Sequence, residues 1–380
     1  MTEAIRTFSW RSLFAEWPLY SIGLALALLG MLTMHTFGAH SLAPRQFLWV
    51  CIGTIVFFLF AMLDLRFIRR TPVILSAYSV MLTLLALLLV LVHPVMGAKS
   101  WFSFGLFSFQ PTDPTKLVLI ALLAKYFSRR HIEIANMRHI VISGLYAAAP
   151  ALLVLFQPDL GTAVIFIAIW FGMVLVSGIP KQHLAVVITL GIVAATALWF
   201  GGLHDYQRAR ILAFVNPASD IHGSGYNAYQ ATIAVGSGEW FGKGIGYGTQ
   251  SKLRFLPQYE TDFIFAAYAE EWGFVGVLFV LLLYGLLFAR LLEIARRSAT
   301  NFDAFFTIGV LILFAAHVAI HAGINVGLLP VTGTTIPFMS YGGSHIVMEF
   351  GALGIVASLA KYGRSAPREK GVQEYLGYGA

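Results

Sequence analysis

The chain has 380 residues, of which 58% are hydrophobic and only 11% are charged. Soluble domains carry about 25% charged residues, so this composition excludes an ordinary soluble protein and predicts a polytopic membrane protein. The net charge of +7 does not require a nucleic-acid partner, because lysine and arginine collect in the cytoplasmic loops of membrane proteins. A single cysteine, Cys51, excludes an internal disulfide.

Ten apolar segments are long enough to cross a bilayer core of about 30 Å, which needs about 20 helical residues. In chain order they cover residues 18–36, 46–63, 73–92, 111–127, 138–156, 159–177, 184–200, 263–291, 303–328 and 344–361. We therefore expect an all-α integral membrane protein with about ten transmembrane helices, forming a single polytopic domain over residues 1–380. The N-terminal 17 residues are not expected to be a cleaved signal peptide, since no small-residue cleavage site follows them.

The positive charges predict the orientation of this domain. An even number of spans puts both termini on one side of the membrane. With the N-terminus inside, 17 lysines and arginines lie in inner segments and 7 in outer segments, and five of those seven lie in one long loop. Both termini are therefore expected in the cytoplasm, together with the polar tail 362–380.

The long loop between spans 7 and 8 covers residues 201–262 and is expected on the extracytoplasmic side. It is rich in glycine at 223–225, 236–238 and 242–248, and it also contains aromatic residues such as Trp240. A loop of this length in a compact protein is usually functional or disordered. Its aromatic and apolar residues favour a partly ordered loop whose short helices dip into the membrane and line a cavity.

Asp262 lies where this loop enters span 8, directly before Phe263, Ile264 and Phe265. A carboxylate beside apolar surface loses hydration and its pKa tends to rise, which suits a general base that works near neutral pH. The alternative is helix capping, in which Thr261 or Asp262 satisfies free N–H groups at the start of the helix. The two interpretations are compatible.

Glu270 and Glu271 follow two turns deeper in the same span, where ionisable groups are costly and are functional candidates. Helical geometry places Glu270 about 12 Å along the axis from Asp262, so the two acids could line one cavity but not share a proton. The alternative is a buried ion pair with a cation from another span.

Asp113 and Lys116 begin span 4 within the stretch FQPTDPTKL, residues 109–117. Their spacing of three residues puts them on one helical face. Lys116 is the only lysine or arginine assigned to neither the inner nor the outer segments. It either pairs with an internal acid or faces an anionic ligand.

The cations of the long loop are either solvated surface residues or a clamp for phosphate oxygens. They are Arg208, Arg210, Lys243, Lys252 and Arg254. Polar turns at 157–162 and 328–344 interrupt apolar stretches, and broken helices of this kind often mark binding sites in transporters. The residues alone fit either a membrane transferase that acts on a phosphate-bearing lipid or a transporter, and the histidines show no metal-ligand spacing.

Four motifs, in the same order along the chain, resemble those of the SEDS family (shape, elongation, division and sporulation). They are QPDLGT (157–162), NPASDIHGSGYNAYQATIAVGSGEWFGKG (216–244), GTQSKLRFLPQYETDFIFAAYAEEWGFVG (248–276) and LLPVTGTTIPFMSYGGS (328–344). The resemblance covers nearly the whole chain. The stretch HDYQRAR, residues 204–210, is closer to the elongation branch of the family than to the division branch.

This resemblance implies a peptidoglycan glycosyltransferase of cell elongation that polymerises lipid II, an undecaprenyl-pyrophosphate disaccharide peptide. Members work at the outer face of the bacterial cytoplasmic (inner) membrane. The implied partners are a class B penicillin-binding protein and other elongation-complex proteins, with no nucleic acid. The resemblance requires no particular cofactor, although a divalent cation such as Mg could assist. A lipid II flippase and a scaffold for the penicillin-binding protein are the alternative functions.

The resemblance also assigns roles to individual residues. The essential acid of the family falls on Asp262, which we expect to be the general base of an inverting transfer. The expected pyrophosphate-binding cations are Lys116, Arg45 and Arg210, with Lys252 and Arg254 as further candidates. The supporting residues are Asp113, Glu270, Glu271, Asp159 and Ser340, and no residue is assigned to a metal.

Three positions depart from the family pattern. Asp113 stands where glutamate is usual, Ser100 where arginine is usual, and His321 where asparagine is usual. The shorter side chain of Asp113 is expected to change its geometry toward Lys116, so the departures concern the shape of the cavity rather than the activity.

Overall fold

A computed structural model describes residues 16–36, 42–92, 100–103, 108–130, 136–216, 224–253, 255–256 and 258–363. Arg254 and the tail beyond Gly363 lie outside the described residues. The helices are α1 (Trp17–His35), α2 (Ala43–Met62), α3 (Thr71–Leu91), α4 (Thr112–Arg130), α5 (Met137–Phe156), α6 (Leu160–Val176), α7 (Lys181–Ala197), α8 (Asp205–Val215), α9 (Ser224–Ser237), α10 (Thr249–Lys252), α11 (Ile264–Arg297), α12 (Asn301–Asn325) and α13 (Gly343–Gly363). A 3-10 helix covers Leu65–Arg69, a π-helical turn covers Leu198–Gly202, and β1 (Phe102–Ser103) pairs antiparallel with β2 (Ser108–Phe109).

Each of the ten predicted spans corresponds to a helix, namely α1 to α7 and α11 to α13. Eight of these helices are long and apolar enough to cross a membrane, and α6 is a shorter apolar helix of 17 residues. The fourth span, α4, carries charged residues at both ends. The predicted all-α membrane fold is therefore confirmed, while the number of ten crossings stays a prediction.

The starts of several helices follow directly from the sequence. Pro18, Pro44 and Pro72 lie in the first turns of α1, α2 and α3, where a missing backbone N–H costs no helical hydrogen bond. Asp159 caps α6 by accepting hydrogen bonds from the backbone N and the hydroxyl of Thr162, at 2.9 and 2.8 Å.

The most buried spans are α13 and α12, of which 78% and 61% lie inside the protein, whereas the span that begins with α7 has no buried share. Helix α13 packs along α2, and α12 packs against α4 and α11. The helices that carry polar residues toward the interior are thus held by neighbours on several sides, while α7 lies at the periphery.

In its described residues the long loop forms three short helices, α8, α9 and α10, so the predicted partly ordered loop is confirmed. It also inserts into a break in α11 at Gly273, whose φ of 67° and ψ of −169° are non-helical. The backbone N–H groups of Lys243 and Gly244 donate to the carbonyl oxygens of Glu270 and Glu271, at 2.9 and 3.1 Å.

The same insertion also satisfies the other side of the break. The N–H groups of Phe274 and Val275 donate to the carbonyl oxygens of Glu239 and Trp240, at 2.9 and 3.1 Å. In an unbroken helix, these N–H groups would have bonded the carbonyl groups four residues earlier. The loop therefore replaces the hydrogen bonds that the break removes.

Candidate active site

A cavity of about 720 Å³ opens at one end of the bundle, the end that carries α8, α9 and the segment between α12 and α13. This volume is typical of a small-molecule site, for which about 300–1,000 Å³ is usual. Its ionisable lining residues are Asp113, Lys116, Asp159, Tyr206, Arg210, Asp262, His317, Tyr341 and His345. Two of the predicted pyrophosphate-binding cations and three of the predicted acids therefore share one cavity.

Asp262 lies in the turn that precedes α11 and is partly buried in the cavity wall. Its backbone N–H donates to the carbonyl oxygen of Gln258 at 3.0 Å, which closes the turn. Burial raises the pKa of the Asp262 carboxyl to about 6, although a hydrogen bond from Thr261 and the charge of Arg210 oppose the rise. A carboxyl with this pKa is able to accept a proton near neutral pH.

The capping role considered for Thr261 or Asp262 is wrong. The N-cap residue of α11 is Phe263, and no side chain of this turn caps the helix. The backbone N–H of Ala266 instead donates to Oδ1 of Asn325, at 3.0 Å, from the end of α12. The carboxylate of Asp262 is therefore left for the cavity.

Asn325 is a site residue that the sequence analysis missed. Its fully buried Nδ2 donates to the carbonyl oxygen of Asp262 at 3.1 Å and to that of His321 at 2.8 Å. With its Oδ1 on Ala266, this one amide fixes the backbone on both sides of the loop-to-helix junction. The only feature of the sequence that could have indicated Asn325 is its position as an amide side chain at the end of an apolar helix.

Arg210 and Asp159 belong to the same wall as Asp262. The guanidinium of Arg210 lies over the ring of Tyr206, 5.6 Å from its centroid, and the hydroxyl of Tyr206 donates to the carbonyl oxygen of Pro158 at 2.7 Å. Helix α8 is thereby tied to the turn that contains Asp159. The carboxylate of Asp159 has two functions, since it caps α6 and also lines the cavity.

Asp113 and Lys116 lie on the cavity floor and are almost completely buried. The Nζ atom of Lys116 is 3.1 Å from Oδ1 of Asp113, and the hydroxyl of Ser344 donates to Oδ2 of Asp113 at 3.0 Å. The predicted pairing of Lys116 with an internal acid is confirmed, and because Lys116 also lines the cavity, an anionic ligand for it stays a prediction. Despite its shorter side chain, Asp113 reaches its lysine.

Glu270 and Glu271 do not line the cavity. Fully buried Glu270 accepts hydrogen bonds from Nζ of Lys243 at 2.7 Å and from the backbone N of Gln250 at 3.0 Å. Glu271 accepts from the hydroxyl of Thr36 at 2.7 Å and from the backbone N of Gly246 at 2.9 Å. The predicted buried ion pair is confirmed for Glu270, although its cation comes from the long loop and not from a span.

Other predicted site residues lie away from the cavity lining. Arg45 is exposed in the first turn of α2, and Lys252 donates to the carbonyl oxygen of Gly246 at 3.2 Å. Ser340 lies behind the wall, where its hydroxyl donates to the carbonyl oxygen of Thr261 at 2.8 Å. Arg254 lies outside the described residues.

The positions that depart from the family pattern also have defined places. Ser100 lines the cavity, and His321 lies beneath it with Nδ1 2.7 Å from the carbonyl oxygen of Thr334. Among the residues that the structure describes, no three His, Cys, Asp or Glu side chains are grouped so that they could hold a metal ion.

These observations define a multi-pass membrane protein with a charged cavity at one end of its helix bundle. Residues 11–365 match the model of the FtsW/RodA/SpoVE family, described as cell cycle protein. The chain belongs to this family.

Curated relatives cover most of the chain. Peptidoglycan glycosyltransferase MrdB of Escherichia coli K12 is 38% identical over 69% of this chain and 71% of its own length. Stage V sporulation protein E of Bacillus subtilis is 34% identical over 85% of this chain and 87% of its own. A probable peptidoglycan glycosyltransferase FtsW of Hydrogenovibrio crunogenus is 34% identical over 96% of this chain and 97% of its own.

Solved structures show the same fold. A chain from a peptidoglycan synthase complex, described as coordinating polymerisation and crosslinking, has a TM-score of 0.79 and 32% identity, and the match covers 92% of this chain and 98% of that one. The rod shape determining protein RodA of Thermus thermophilus has a TM-score of 0.69 and 30% identity over 91% of this chain and 97% of its own. The family match over residues 11–365 includes the long loop as well as the spans.

Proposed function

We propose that this protein is a peptidoglycan glycosyltransferase that polymerises lipid II into glycan strands during cell elongation, with Asp262 as its general base. The observation that carries the proposal is the carboxyl of Asp262, whose pKa is raised to about 6 by burial in the wall of a cavity that also contains Arg210 and Lys116. The names of the relatives support the activity, and those of MrdB and RodA support a role in elongation.

In the proposed reaction, the Asp262 carboxylate accepts the proton of the 4-hydroxyl of the acceptor GlcNAc. The hydroxyl oxygen forms a bond to C1 of the donor MurNAc while the bond from C1 to the phosphate oxygen breaks. The leaving undecaprenyl pyrophosphate takes the electron pair, and the α-linked donor gives a β-linked product, so configuration is inverted. General-base catalysis supplies about 10²–10⁴-fold, and positioning and electrostatics supply the rest.

The cations of the cavity stabilise the leaving group in this proposal. Pyrophosphate gains negative charge as the bond to C1 breaks, and fixed cations in a partly dehydrated site stabilise that charge. Lys116 and Arg210 both line the cavity and serve as the pyrophosphate-binding residues. Arg45 and Lys252 lie outside the lining and act at a distance at most.

The proposed site faces the outside of the cytoplasmic membrane, with both termini in the cytoplasm. This side is supported by the position of the cavity at the end of the bundle that carries the long loop, which the charge distribution predicts to be extracytoplasmic. A class B penicillin-binding protein is the proposed partner. The similarity to a chain of a peptidoglycan synthase complex, described as coordinating polymerisation with crosslinking, supports that partner.

The test is polymerisation of lipid II by the purified protein with its penicillin-binding partner in detergent, with products separated by length on a gel. Glycan strands are the expected result. Because no membrane separates two compartments in detergent, a flippase gives no product there, and neither does a scaffold. The absence of strands from folded, partner-bound protein would therefore contradict the proposal.

A further inference from the structure

His345 lies between two carboxylates on the cavity floor. Its Nδ1 is 3.1 Å from Oδ1 of Asp113, and its Nε2 is 2.9 Å from Oε1 of Glu349, one turn further along α13. The His345 side chain is 7% exposed, and both carboxylate side chains are 1% exposed. The ring is therefore enclosed by acids with little access to water.

This arrangement defines the charge of the imidazole. A neutral imidazole has one N–H, so one of its nitrogens would bring a lone pair close to a carboxylate oxygen, either at Asp113 or at Glu349, where Nε2 lies at ion-pair distance without hydrogen-bond alignment. Such a contact is unfavourable in a buried site, whereas an imidazolium is attracted by both acids. The geometry therefore favours a charged His345.

The surroundings of Lys116 complete the cluster. Nδ1 of His317 is 3.0 Å from the carbonyl oxygen of Thr335 and must donate to it, so Nε2 of His317 is an acceptor 3.5 Å from Nζ of Lys116. Lys116 is thus held between neutral His317 and negative Asp113. The charge of Asp113 is shared between Lys116 and His345, which weakens its hold on either one.

Glu349 differs from the other members of the cluster because it does not line the cavity. Its second carboxylate oxygen accepts a hydrogen bond from the backbone N of Phe338 at 2.7 Å, which fixes it behind the histidine. The pair of His345 and Glu349 therefore turns its positive end toward the cavity and its negative end toward the protein interior.

We propose that His345 and Glu349 are positioning residues of a diphosphate-binding subsite on the cavity floor. Glu349 keeps His345 charged, and His345 offsets the charge of Asp113, so that Lys116 is available to the anionic part of the substrate. The inference rests on the proposed function, because it takes the ligand of Lys116 to be the pyrophosphate of lipid II.

The test is a steady-state comparison of lipid II polymerisation by wild type, Glu349→Gln and Glu349→Asp. Glutamine preserves the shape and the acceptor for Phe338 but removes the charge that holds the imidazolium. We expect E349Q to raise KM by up to about tenfold. One unit charge at about 10 Å in a medium of effective dielectric constant about 20 sets the upper limit, because the more distant charge of Glu349 is lost together with that of His345. Because Lys116 also stabilises the charge that the leaving pyrophosphate gains, kcat should fall together with the rise in KM, and E349D should keep the wild-type kcat and KM.

A double variant separates this mechanism from a general loss of packing. In both E349Q and His345→Gln/Glu349→Gln, position 345 carries no cation, so the two should share the same raised KM. If E349Q alone fails to fold, the KM of the double variant is compared with that of wild type instead. Asp303→Asn is the matched control, since it breaks a buried ion pair with Arg69 in the inner half of the protein and should lower Tm without changing KM.

The outcomes distinguish this inference from the proposed function. An unchanged KM in E349Q, or a second increase of similar size in the double variant, would overturn the role of the pair while wild type still makes strands. A wild-type protein that makes no strands would overturn the proposed function itself.

Discussion

The carboxylate of Asp262 faces a cavity that also contains Arg210 and Lys116, yet it is withdrawn from bulk water. Desolvation is the largest influence on it and raises its pKa to about 6, while the nearby Arg210 acts in the opposite direction. The sequence predicted this rise in pKa from one local pattern, in which Asp262 is followed directly by three apolar residues. It did not predict Asn325, whose partner atoms are main-chain groups about sixty residues earlier.

The raised pKa predicts an acid limb in the pH dependence of polymerisation. A general base works only when it is deprotonated, so activity should rise with pH through about 6 and level off above it. One unit below the pKa, about a tenth of the plateau rate should remain. Measuring kcat from pH 5 to 8 checks this, and a rate that is flat across the range would contradict a base with this pKa.

Asn325→Leu should slow the reaction without weakening substrate binding. The substitution leaves the carbonyl of Asp262 and the N–H of Ala266 without their partner, and small displacements of a catalytic group cost up to about 10²-fold. We expect kcat to fall by at least about tenfold, with KM within about twofold. Thr307→Val, which removes a buried hydrogen bond at the other end of α12, is the control and should retain kcat.

At the scale of elements, the break in α11 and the long loop form one unit. Glu270 and Glu271 hold the loop through side-chain contacts, and the backbone around Gly273 holds it through four hydrogen bonds. The hydropathy of the sequence predicted the position of span 8, because apolar residues favour the lipid interior. It could not predict the break, since the compensating hydrogen bonds come from residues 239–244, far along the chain.

Gly273→Ala should destabilise this unit. The position has φ of 67°, and an added Cβ would meet the backbone of Phe241 and Gly242. A strained residue of this kind costs about 1–3 kcal/mol, so the melting temperature in detergent should fall. Gly285→Ala in the same helix meets no atom within 4 Å and should leave the melting temperature unchanged or slightly higher. Equal melting temperatures for the two variants would contradict the proposed unit.

At the scale of the whole molecule, the constraints of the lipid environment allow the helices of the bundle to be predicted from the sequence. Every spanning segment must satisfy its backbone hydrogen bonds within the protein, so apolar runs of about 20 residues become helices, as all ten predicted segments do, and the break in α11 occurs where the long loop supplies the partners. The hydropathy of the sequence does not predict which helices pack against each other. For that reason Arg45 was expected at the site but is exposed outside the cavity lining, whereas His317 and His345 were not expected there and line it.

The predicted orientation is open to direct labelling. The background is Cys51→Ala, which removes the native thiol. In cells whose cytoplasmic membrane is intact and whose outer layers admit the reagent, Glu239→Cys in the long loop should react with a membrane-impermeant maleimide. Arg66→Cys, between α2 and α3, should react only after the membrane is permeabilised. Glu239 is exposed and the Arg66 side chain is 41% exposed, so access depends on the side of the membrane. The reverse pattern would contradict an extracytoplasmic site.

The most direct test of the account compares lipid II polymerisation by wild type, Asp262→Asn and Asp303→Asn, each purified with the proposed penicillin-binding partner. Asparagine preserves the shape of Asp262 but cannot accept the proton, so we expect strands from wild type and from the D303N control and none from D262N. Partner binding and melting temperature should show that D262N is folded. Strands of equal yield from D262N and wild type would contradict the assignment of Asp262 as the general base.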